Sequence, residues 1–179
     1  ATTNDNCSIA STSNNAPLAF PLGATTVTWT VVDGSGNSAA CAQTVIVIDT
    51  ELPTITCPTN VIVPASLGLC TASGVALGTS TLSDNCTVAS VTNNAPSTFP
   101  LGTTSVTWTV VDGSGNTSTC IQTVSVTDTQ LPTIACPINV TVPADFGTCA
   151  AIVVVLGTPT TVDNCSVVST TNNAPAIFP

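Results

Sequence analysis

The sequence predicts an all-β fold, and three features carry the prediction. Apolar residues alternate with threonines from Val106 to Val110, which is the two-residue period of a strand with one buried face. Residues 112–116 are glycines and short polar residues that favour a tight turn, and the alternation resumes up to Val126. No helical period or helix-capping pattern is visible. We therefore expect a β-hairpin around the turn at 112–116, called the spine hairpin.

The spine hairpin occurs twice, because residues 20–37 nearly copy residues 99–116. Trp29 and Trp108 are 79 positions apart (108 − 29), and cysteines follow the same step at Cys7, Cys86 and Cys165. A unit of that length holds a full set of strand and turn signals and can close its own small core. We predict an incomplete repeat at 1–50, a complete repeat at 51–129 and an incomplete repeat at 130–179.

These bounds suggest a window on a longer array. The first incomplete repeat holds the equivalents of residues 80–129, and the last holds those of 51–100. The two would overlap across the equivalents of 80–100, which argues against neighbouring chains completing each other's repeats.

Within the complete repeat, six or seven short strands with turn signals every 8–12 residues are typical of an immunoglobulin-like β-sandwich. The predicted strands and strand-like pieces before the spine hairpin are 52–58, 60–63, 71–77, 88–92 and a short piece ending at Pro100. Residues 78–85 form a predicted polar loop. Val75 and Leu77 are expected to point inward. In the last strand Ile46 and Ile48 are replaced by Ser125 and Thr127, so that face is expected to meet solvent or a partner.

Charge excludes several classes of function. The chain has no Lys, Arg or His against nine carboxylates, for a formal charge of −9. Nothing can neutralise phosphates, so nucleic-acid binding is excluded, and no side-chain salt bridge can form. Mean hydropathy is positive, yet polar residues, Pro or Gly interrupt every apolar run well before the roughly 20 residues of a spanning helix. We predict no membrane span in this window.

Five short motifs, in order, carry a family resemblance. They are Thr-Cys-Pro at 56–58, Asp-Asn-Cys at 84–86, Phe-Pro-Leu-Gly-Thr-Thr at 99–104, Asp-Gly-Ser-Gly-Asn at 112–116 and Val-Ser-Val-Thr-Asp at 124–128. The chain resembles an array of hyalin (HYR) repeats. The tryptophan at position 108, in Val-Thr-Trp-Thr, resembles the form of the repeat found in giant surface adhesins of bacteria, including gliding bacteria. Many hyalin-type repeats have a cysteine there, so the resemblance implies one missing disulfide with Trp108 filling the space. It further implies an extracellular adhesion role without catalysis.

The nine cysteines favour an oxidising compartment. The first and last strands of such a sandwich run parallel from one end, which favours a Cys57–Cys120 bond. Elimination then pairs Cys70 with Cys86, and Cys149 with Cys165. Those pairs lie at opposite strand ends if the second strand is fully extended, so the alternative is an inter-repeat Cys70–Cys165 bond. Three more cysteines are expected to find partners outside the window: Cys7, Cys41 and Cys136.

Acidic residues gather at one predicted end of the complete repeat. Asp49 and Glu51 come from the linker, Asp84 from a loop, and Asp112 and Asn116 from the spine turn. Hard oxygen ligands at a domain joint suit Ca²⁺, which would rigidify the array. The alternative is that these residues serve only their turns, and Gln130 replaces Glu51 at the next joint.

The sequence therefore predicts a non-enzymatic, extracellular stalk or filament, and the family resemblance implies that it lies on a bacterial surface. General acid–base catalysis lacks basic partners here, and oxidised cysteines are not nucleophiles. The expected partners are adjacent repeats, laterally associated copies and an unidentified surface or glycan ligand. A ligand-binding array accessory to adhesion or to a secreted enzyme is the alternative function.

Overall fold

A computed structural model describes residues 3–6 and 8–179, and the described chain contains strands but no helix. The strands of the first copy and the linker side are β1 (Ile9–Asn14), β2 (Gly23–Asp33), β3 (Ser38–Val47) and β4 (Thr54–Thr56). Those that follow within the predicted complete repeat are β5 (Val61–Pro64), β6 (Thr71–Ser73), β7 (Thr81–Ser83), β8 (Val88–Asn93), β9 (Thr98–Pro100), β10 (Gly102–Asp112) and β11 (Thr117–Thr127). The last are β12 (Thr133–Ala135), β13 (Ala151–Ile152), β14 (Thr160–Val162) and β15 (Ile177–Phe178). The all-β prediction is confirmed.

The chain forms two compact units, each assembled from three separate segments. The first unit comprises Ala1–Thr54, Leu82–Val91 and Val110–Ser118. The second unit comprises Ile55–Thr81, Thr92–Thr109 and Thr119–Pro179.

The first unit contains a three-stranded antiparallel sheet in the order β1-β2-β3. Its β2–β3 ladder runs without interruption from Gly23 opposite Val47 to Val32 opposite Ser38. Asp33 closes the turn, since its Oδ1 accepts the backbone N–H groups of Ser35 and Asn37 at 2.8 Å each. This is the first spine hairpin.

The second spine hairpin, β10–β11, lies in the middle of a four-stranded sheet ordered β5-β11-β10-β8. Strand β5 pairs parallel with β11, from Val124 opposite Val61 to Thr127 opposite Pro64. Two shorter sheets complete the repeat, β4 with β7 and β6 with β9.

The core of the second unit forms where these strands turn their apolar side chains inward. Its buried members are Ala65, Ala72, Phe99, Val106, Trp108, Val124 and Val126. The alternation of the sequence predicts this set along the hairpin, because side chains at every second position share a face. Val75 and Leu77 pack against the core as predicted, although they lie outside any strand.

Two strand boundaries differ from the sequence prediction. Strand β6 ends at Ser73 because Gly74 adopts a φ of 65°, which breaks the extended run predicted to reach residue 77. Strand β7 forms inside the predicted loop at 78–85 and pairs with β4. Its burial pattern has one half-buried residue, Leu82, between two exposed ones, and three residues are too few for periodicity to reveal.

The third copy holds a partial set of strands. Strand β12 pairs antiparallel with β14, and β13 pairs antiparallel with β15. These are the counterparts, 79 positions on, of the β4–β7 and β6–β9 pairs. Residues 140–143 and 167–172, the counterparts of β5 and β8, are not strands.

Candidate functional site

The spine turn of the complete repeat holds a buried carboxylate. Asp112 is 2% exposed, and its Oδ1 accepts the backbone N–H groups of Ser114 at 2.9 Å and Asn116 at 2.7 Å. Its Oδ2 accepts the Asn116 side-chain amide at 2.7 Å. A short acidic side chain can bond its own backbone two to four residues on, so the sequence Asp-Gly-Ser-Gly-Asn folds in this way locally.

Two further carboxylates face Asp112 within the first unit. Oxygens of Asp49, Asp84 and Asp112 all lie within 4.8 Å of one another. Each of the other two uses one oxygen locally, as Asp49 Oδ1 accepts from Glu51 N at 3.0 Å and Asp84 Oδ2 accepts from Cys86 N at 2.9 Å. The linker, the loop and the turn thus converge, and we call these three residues the carboxylate cluster.

The carboxylate cluster has oxygens that the protein does not satisfy. Asp49 Oδ2 and Asp84 Oδ1 are buried and have no hydrogen-bond partner. Burying an unpaired carboxylate oxygen is costly, and the chain has no Lys, Arg or His to compensate it. Three converging carboxylates with unused oxygens are donors of the kind that Ca²⁺ prefers.

The other two predicted ligands, Asn116 and Glu51, do not add carboxylate oxygens to the cluster. Asn116 presents its amide N–H groups, which donate to Asp112 Oδ2 and, at 3.3 Å, to the Asp49 carbonyl. It therefore acts as a donor that orients the Asp112 carboxylate and contacts the backbone at Asp49. Glu51 is exposed and is not part of the carboxylate cluster, to which it contributes only its backbone N–H.

These contacts shift the pKa values of Asp112 and Cys86. Burial opposes ionisation of Asp112, but the hydrogen bonds from Asn116, Ser114 and Gly115 outweigh it and lower the pKa of Asp112 below 3.8. Partial desolvation raises the pKa of the Cys86 thiol, and the neighbouring Asp49 carboxylate and the negative charge of the cluster raise it further. Cys86 is consequently a neutral thiol at pH 7 and a slow nucleophile.

The disulfides bond the complete repeat to itself and to the next copy. Cys57 and Cys120 are bonded, with Cα atoms 5.7 Å apart, which is the pairing favoured from the strand arrangement. Cys70 is bonded to Cys165, with Cα atoms 5.0 Å apart. The pairings Cys70–Cys86 and Cys149–Cys165 are therefore corrected in favour of the inter-repeat alternative. The free cysteines of the described chain are Cys41, Cys86, Cys136 and Cys149, and Cys7 lies outside it.

Polar contacts explain why Cys70 meets Cys165. Asn164 donates its amide to the Leu69 carbonyl at 2.9 Å and to Asp128 Oδ1 at 3.2 Å, which places its neighbour Cys165 beside Cys70. Gln130 accepts from Gly68 N at 2.9 Å and donates to Ser66 O at 3.2 Å, which fixes the same loop. A glutamate at position 130 could accept but not donate.

Sequence reasoning missed one further residue, Gln122. It is fully buried, and its Oε1 accepts the Trp108 indole N–H at 3.0 Å. Its amide donates to the carbonyls of Thr59 at 2.7 Å and Leu77 at 2.8 Å. The sequence could have revealed it, because Gln122 precedes Val124 and Val126 at the two-residue spacing of the inward-facing side chains. The implied role of Trp108 as a core filler fits its 7% exposure.

No helix among residues 3–6 and 8–179 is long and apolar enough to cross a membrane. The titratable side chains of the chain are carboxylates and thiols only.

Comparisons with known proteins agree on one family. A family model described as the HYR domain matches residues 1–47 and 48–126. A hyalin of Strongylocentrotus purpuratus is 34% identical over 144 residues, which is 75% of this chain and 12% of that protein. A hyalin of Lytechinus variegatus is 34% identical over 168 residues, which is 84% of this chain and 30% of that protein. The chain thus spans less than a third of either relative.

Both relatives come from animals, which overturns the bacterial assignment drawn from the tryptophan of the spine hairpin. The motifs from Thr56 to Asp128 remain, and the matched segments contain all of them except the last two residues of the fifth motif. The chain belongs to the HYR domain family.

Proposed function

We propose that this chain is a structural element of an extracellular adhesion protein, in which tandem immunoglobulin-like HYR repeats of 79 residues form a stalk or filament. The Cys70–Cys165 bond is the observation that carries the proposal, because it joins the predicted complete repeat covalently to the next. Such bonds persist in oxidising compartments. The family resemblance and the absence of basic side chains support a surface role without catalysis.

The two disulfides give the proposal a mechanism. When the chain is pulled from its ends, the Cys70–Cys165 bond bears the load. The chain between these two cysteines, 95 positions long, therefore cannot extend. At about 3.3–3.6 Å per extended residue, that segment would have an extended length of roughly 300 Å. Most of the core, from Ala72 to Val126, lies between Cys70 and Cys165 and is therefore outside the loaded path.

Single-molecule pulling tests this mechanism. The oxidised chain should reach a final extended length roughly 300 Å shorter than the reduced chain. In Cys165→Ser the difference between oxidised and reduced chains should fall to roughly 200 Å, because Cys57–Cys120 still holds back 63 positions. Equal lengths before and after reduction would contradict the mechanical role. Selective binding of the chain to one glycan on an array would instead favour the ligand-binding alternative.

We also propose that the carboxylate cluster binds Ca²⁺. Support comes from the two buried oxygens without partners, Asp49 Oδ2 and Asp84 Oδ1. The pattern recurs 79 positions on, where Asp163 Oδ1 is likewise buried without a partner. A bound cation would hold the linker at Asp49 against the loop at Asp84 and the turn at Asp112, which would stiffen this end of the repeat.

Calorimetric titration with Ca²⁺ tests the site. The parent chain should bind, Asp84→Asn should weaken binding by at least about tenfold through loss of one carboxylate, and Asp5→Asn should leave it unchanged. Chelation should increase proteolysis at 49–53. Equal binding by parent and Asp84→Asn, or cleavage that does not respond to chelator, would exclude this site without affecting the mechanical proposal.

A further inference from the structure

Three short segments meet between the complete repeat and the third copy. They are the loop at 66–70, the linker at 128–130 and the loop at 163–165, and all three belong to the second unit. We call these segments the joint. The Cys70–Cys165 bond connects the two loops, with Cα atoms 5.0 Å apart. Hydrogen bonds connect the same segments, so the disulfide is not the sole contact across the joint.

The loop at 66–70 is held in place by its own repeat. Ser66 N donates to the Thr71 carbonyl at 2.8 Å, and Leu69 N donates to the Ser66 carbonyl at 2.9 Å. The Cys70 carbonyl accepts from Leu101 N at 3.2 Å. Backbone hydrogen bonds therefore fix the position of Cys70 whether or not its sulfur is bonded.

Gln130 attaches the linker to this loop. Its side-chain carbonyl accepts from Gly68 N at 2.9 Å, and its amide donates to the Ser66 carbonyl at 3.2 Å. Its backbone N–H donates to Asp128 Oδ1 at 3.0 Å, which orients the start of the linker. A glutamine can make both side-chain bonds because it carries an acceptor and a donor.

Asn164 attaches the loop of the third copy to the other two segments. Its amide donates to the Leu69 carbonyl at 2.9 Å and to Asp128 Oδ1 at 3.2 Å, and it contacts Cys165 Sγ at 3.3 Å. Cys165 N donates to Asp163 Oδ2 at 3.1 Å. Asn164 therefore positions the backbone and the sulfur of Cys165 beside the loop that carries Cys70.

These contacts do not require the disulfide. The side-chain bonds of Gln130, and two of the three contacts made by Asn164, join nitrogen to oxygen, so opening the Cys70–Cys165 bond breaks none of them. In a flexible chain, bringing together two thiols 95 positions apart costs conformational entropy. A joint that stays closed avoids most of that cost and keeps the two thiols at a high effective concentration.

We propose that Cys70–Cys165 is a reversible link between copies, in which Gln130 and Asn164 hold the joint closed while the bond is open, so that the two thiols rejoin. Gln130 and Asn164 are then positioning residues for the bond. The inference rests on the proposed function, because the same disulfide carries the mechanical role. It adds that a stalk whose link is reduced keeps its copies in place and recovers its full covalent strength.

A small-molecule thiol is the partner that opens the link. Two molecules of reduced glutathione give two electrons and two protons to the bond, which yields two cysteine thiols and one molecule of oxidised glutathione. The first thiolate forms a mixed disulfide with one cysteine, and the second releases it. The reverse reaction consumes oxidised glutathione and restores the Cys70–Cys165 bond.

Equilibration with glutathione tests the link. The background carries Cys7→Ser, Cys41→Ser, Cys86→Ser, Cys136→Ser and Cys149→Ser, and alkylation followed by mass spectrometry measures the bonded fraction. Asn164→Ala should lower the equilibrium constant for Cys70–Cys165 formation at least about tenfold, because the reduced joint then opens. Gln130→Glu should lower it by a smaller factor, since glutamate accepts from Gly68 N but does not donate to Ser66.

Two controls accompany this experiment. Asn85→Ala changes the counterpart of Asn164, which is exposed, and should leave the constant unchanged. The Cys57–Cys120 bond of the same chain should be unaffected by any of these variants, and circular dichroism checks that each keeps the parent fold. Equal constants in the parent and Asn164→Ala would overturn the proposal.

Hydrogen exchange shows directly whether the joint persists without its disulfide. In the chain with Cys70→Ser and Cys165→Ser, the Gly68 amide should stay protected, and adding Gln130→Ala should speed its exchange at least about tenfold. Fast exchange of Gly68 in the double-serine chain itself would overturn the proposal. The pulling experiment is independent of both results: a shortened oxidised chain, with no effect of Asn164→Ala on the glutathione constant, would keep the mechanical role and exclude the reversible link.

Discussion

The two spine hairpins have nearly the same sequence and different surroundings. In both, the tryptophan indole donates to a glutamine on the facing strand at 3.0 Å, as Trp29 to Gln43 and as Trp108 to Gln122. Around the second hairpin, Trp108 is 7% exposed and Gln122 fully buried. Around the first, Trp29 is half-buried and Gln43 exposed. The local hydrogen bond is thus independent of burial.

The difference shows what the first half of a repeat contributes. Residues of the segment before the spine hairpin, such as Val61 and Leu77, pack against the second hairpin, and two carbonyls from this segment accept the Gln122 amide. The hairpin is specified locally by alternation and turn residues. The core forms only when the rest of the repeat packs against the hairpin. The same side chains therefore contribute differently to the free energy of unfolding in the two copies.

The largest effect should come from removing the buried glutamine. Gln122→Leu leaves the buried Trp108 indole N–H without a partner and removes the donor to the Thr59 and Leu77 carbonyls, so we expect a loss of about 3–5 kcal/mol in the free energy of unfolding. Gln43→Leu, the matched change in an exposed position, should cost below about 1 kcal/mol. Urea unfolding followed by circular dichroism measures both. Equal losses in the two variants would mean that burial does not distinguish the hairpins.

A smaller effect tests what the hairpins share. Hydrogen bonds from Asn37 lower the pKa of Asp33, as those from Asn116, Ser114 and Gly115 lower that of Asp112 against the effect of burial. A carboxylate whose pKa is lowered by folding stabilises the fold above its ordinary value of 3.8 and loses that contribution as the pH falls through the lowered value.

Asp33→Asn and Asp112→Asn should each be less stable than the parent at pH 7. In urea unfolding repeated from pH 7 to pH 2, the gap between each variant and the parent should narrow as the pH falls below about 4. A gap that is constant with pH would show that the charge of the turn carboxylate is irrelevant to its role.

The smallest effect extends the comparison to the third copy. Val153 has a φ of 58° where its counterpart Gly74 has 65°, and a β-branched residue is strained in this region. Because Val153 is 84% exposed, Val153→Gly should raise the free energy of unfolding by about 0.5–1 kcal/mol. Gly74→Val should lower it by about 1–2 kcal/mol, since no atom lies within 4 Å of the added Cβ and only the backbone is strained. Thermal unfolding of both variants checks the signs.

Sequence reasoning was most successful where a feature repeats locally. Alternation predicted the inward faces of β10 and β11, and the outward positions Ile46 and Ile48 are 67% and 73% exposed. The convergence of Asp49, Asp84 and Asp112 was also predictable, since each follows from the end of a strand at which it lies. The 79-residue period and the repeat bounds derived from it remain predictions.

Features that depend on distant packing were not predictable. Cys70 bonds Cys165 rather than Cys86 because of hydrogen bonds made by Asn164. Asn164 lies 95 positions from its partner Leu69. Gln122 looked like a polar residue on a strand, because its carbonyl partners, Thr59 and Leu77, are 63 and 45 residues away in sequence. Spacing and composition do not encode such contacts.

Hydrogen exchange of the two hairpins, at a concentration where the chain is monomeric, is the most direct measurement. If packing by the rest of the repeat makes the core, amides of β10 such as that of Trp108, which is 7% exposed, should exchange at least about 100-fold more slowly than matched amides of β2 such as that of the half-buried Trp29. Equal protection of the two strands would contradict that view, because it would show that a spine hairpin is stable without the half that covers it.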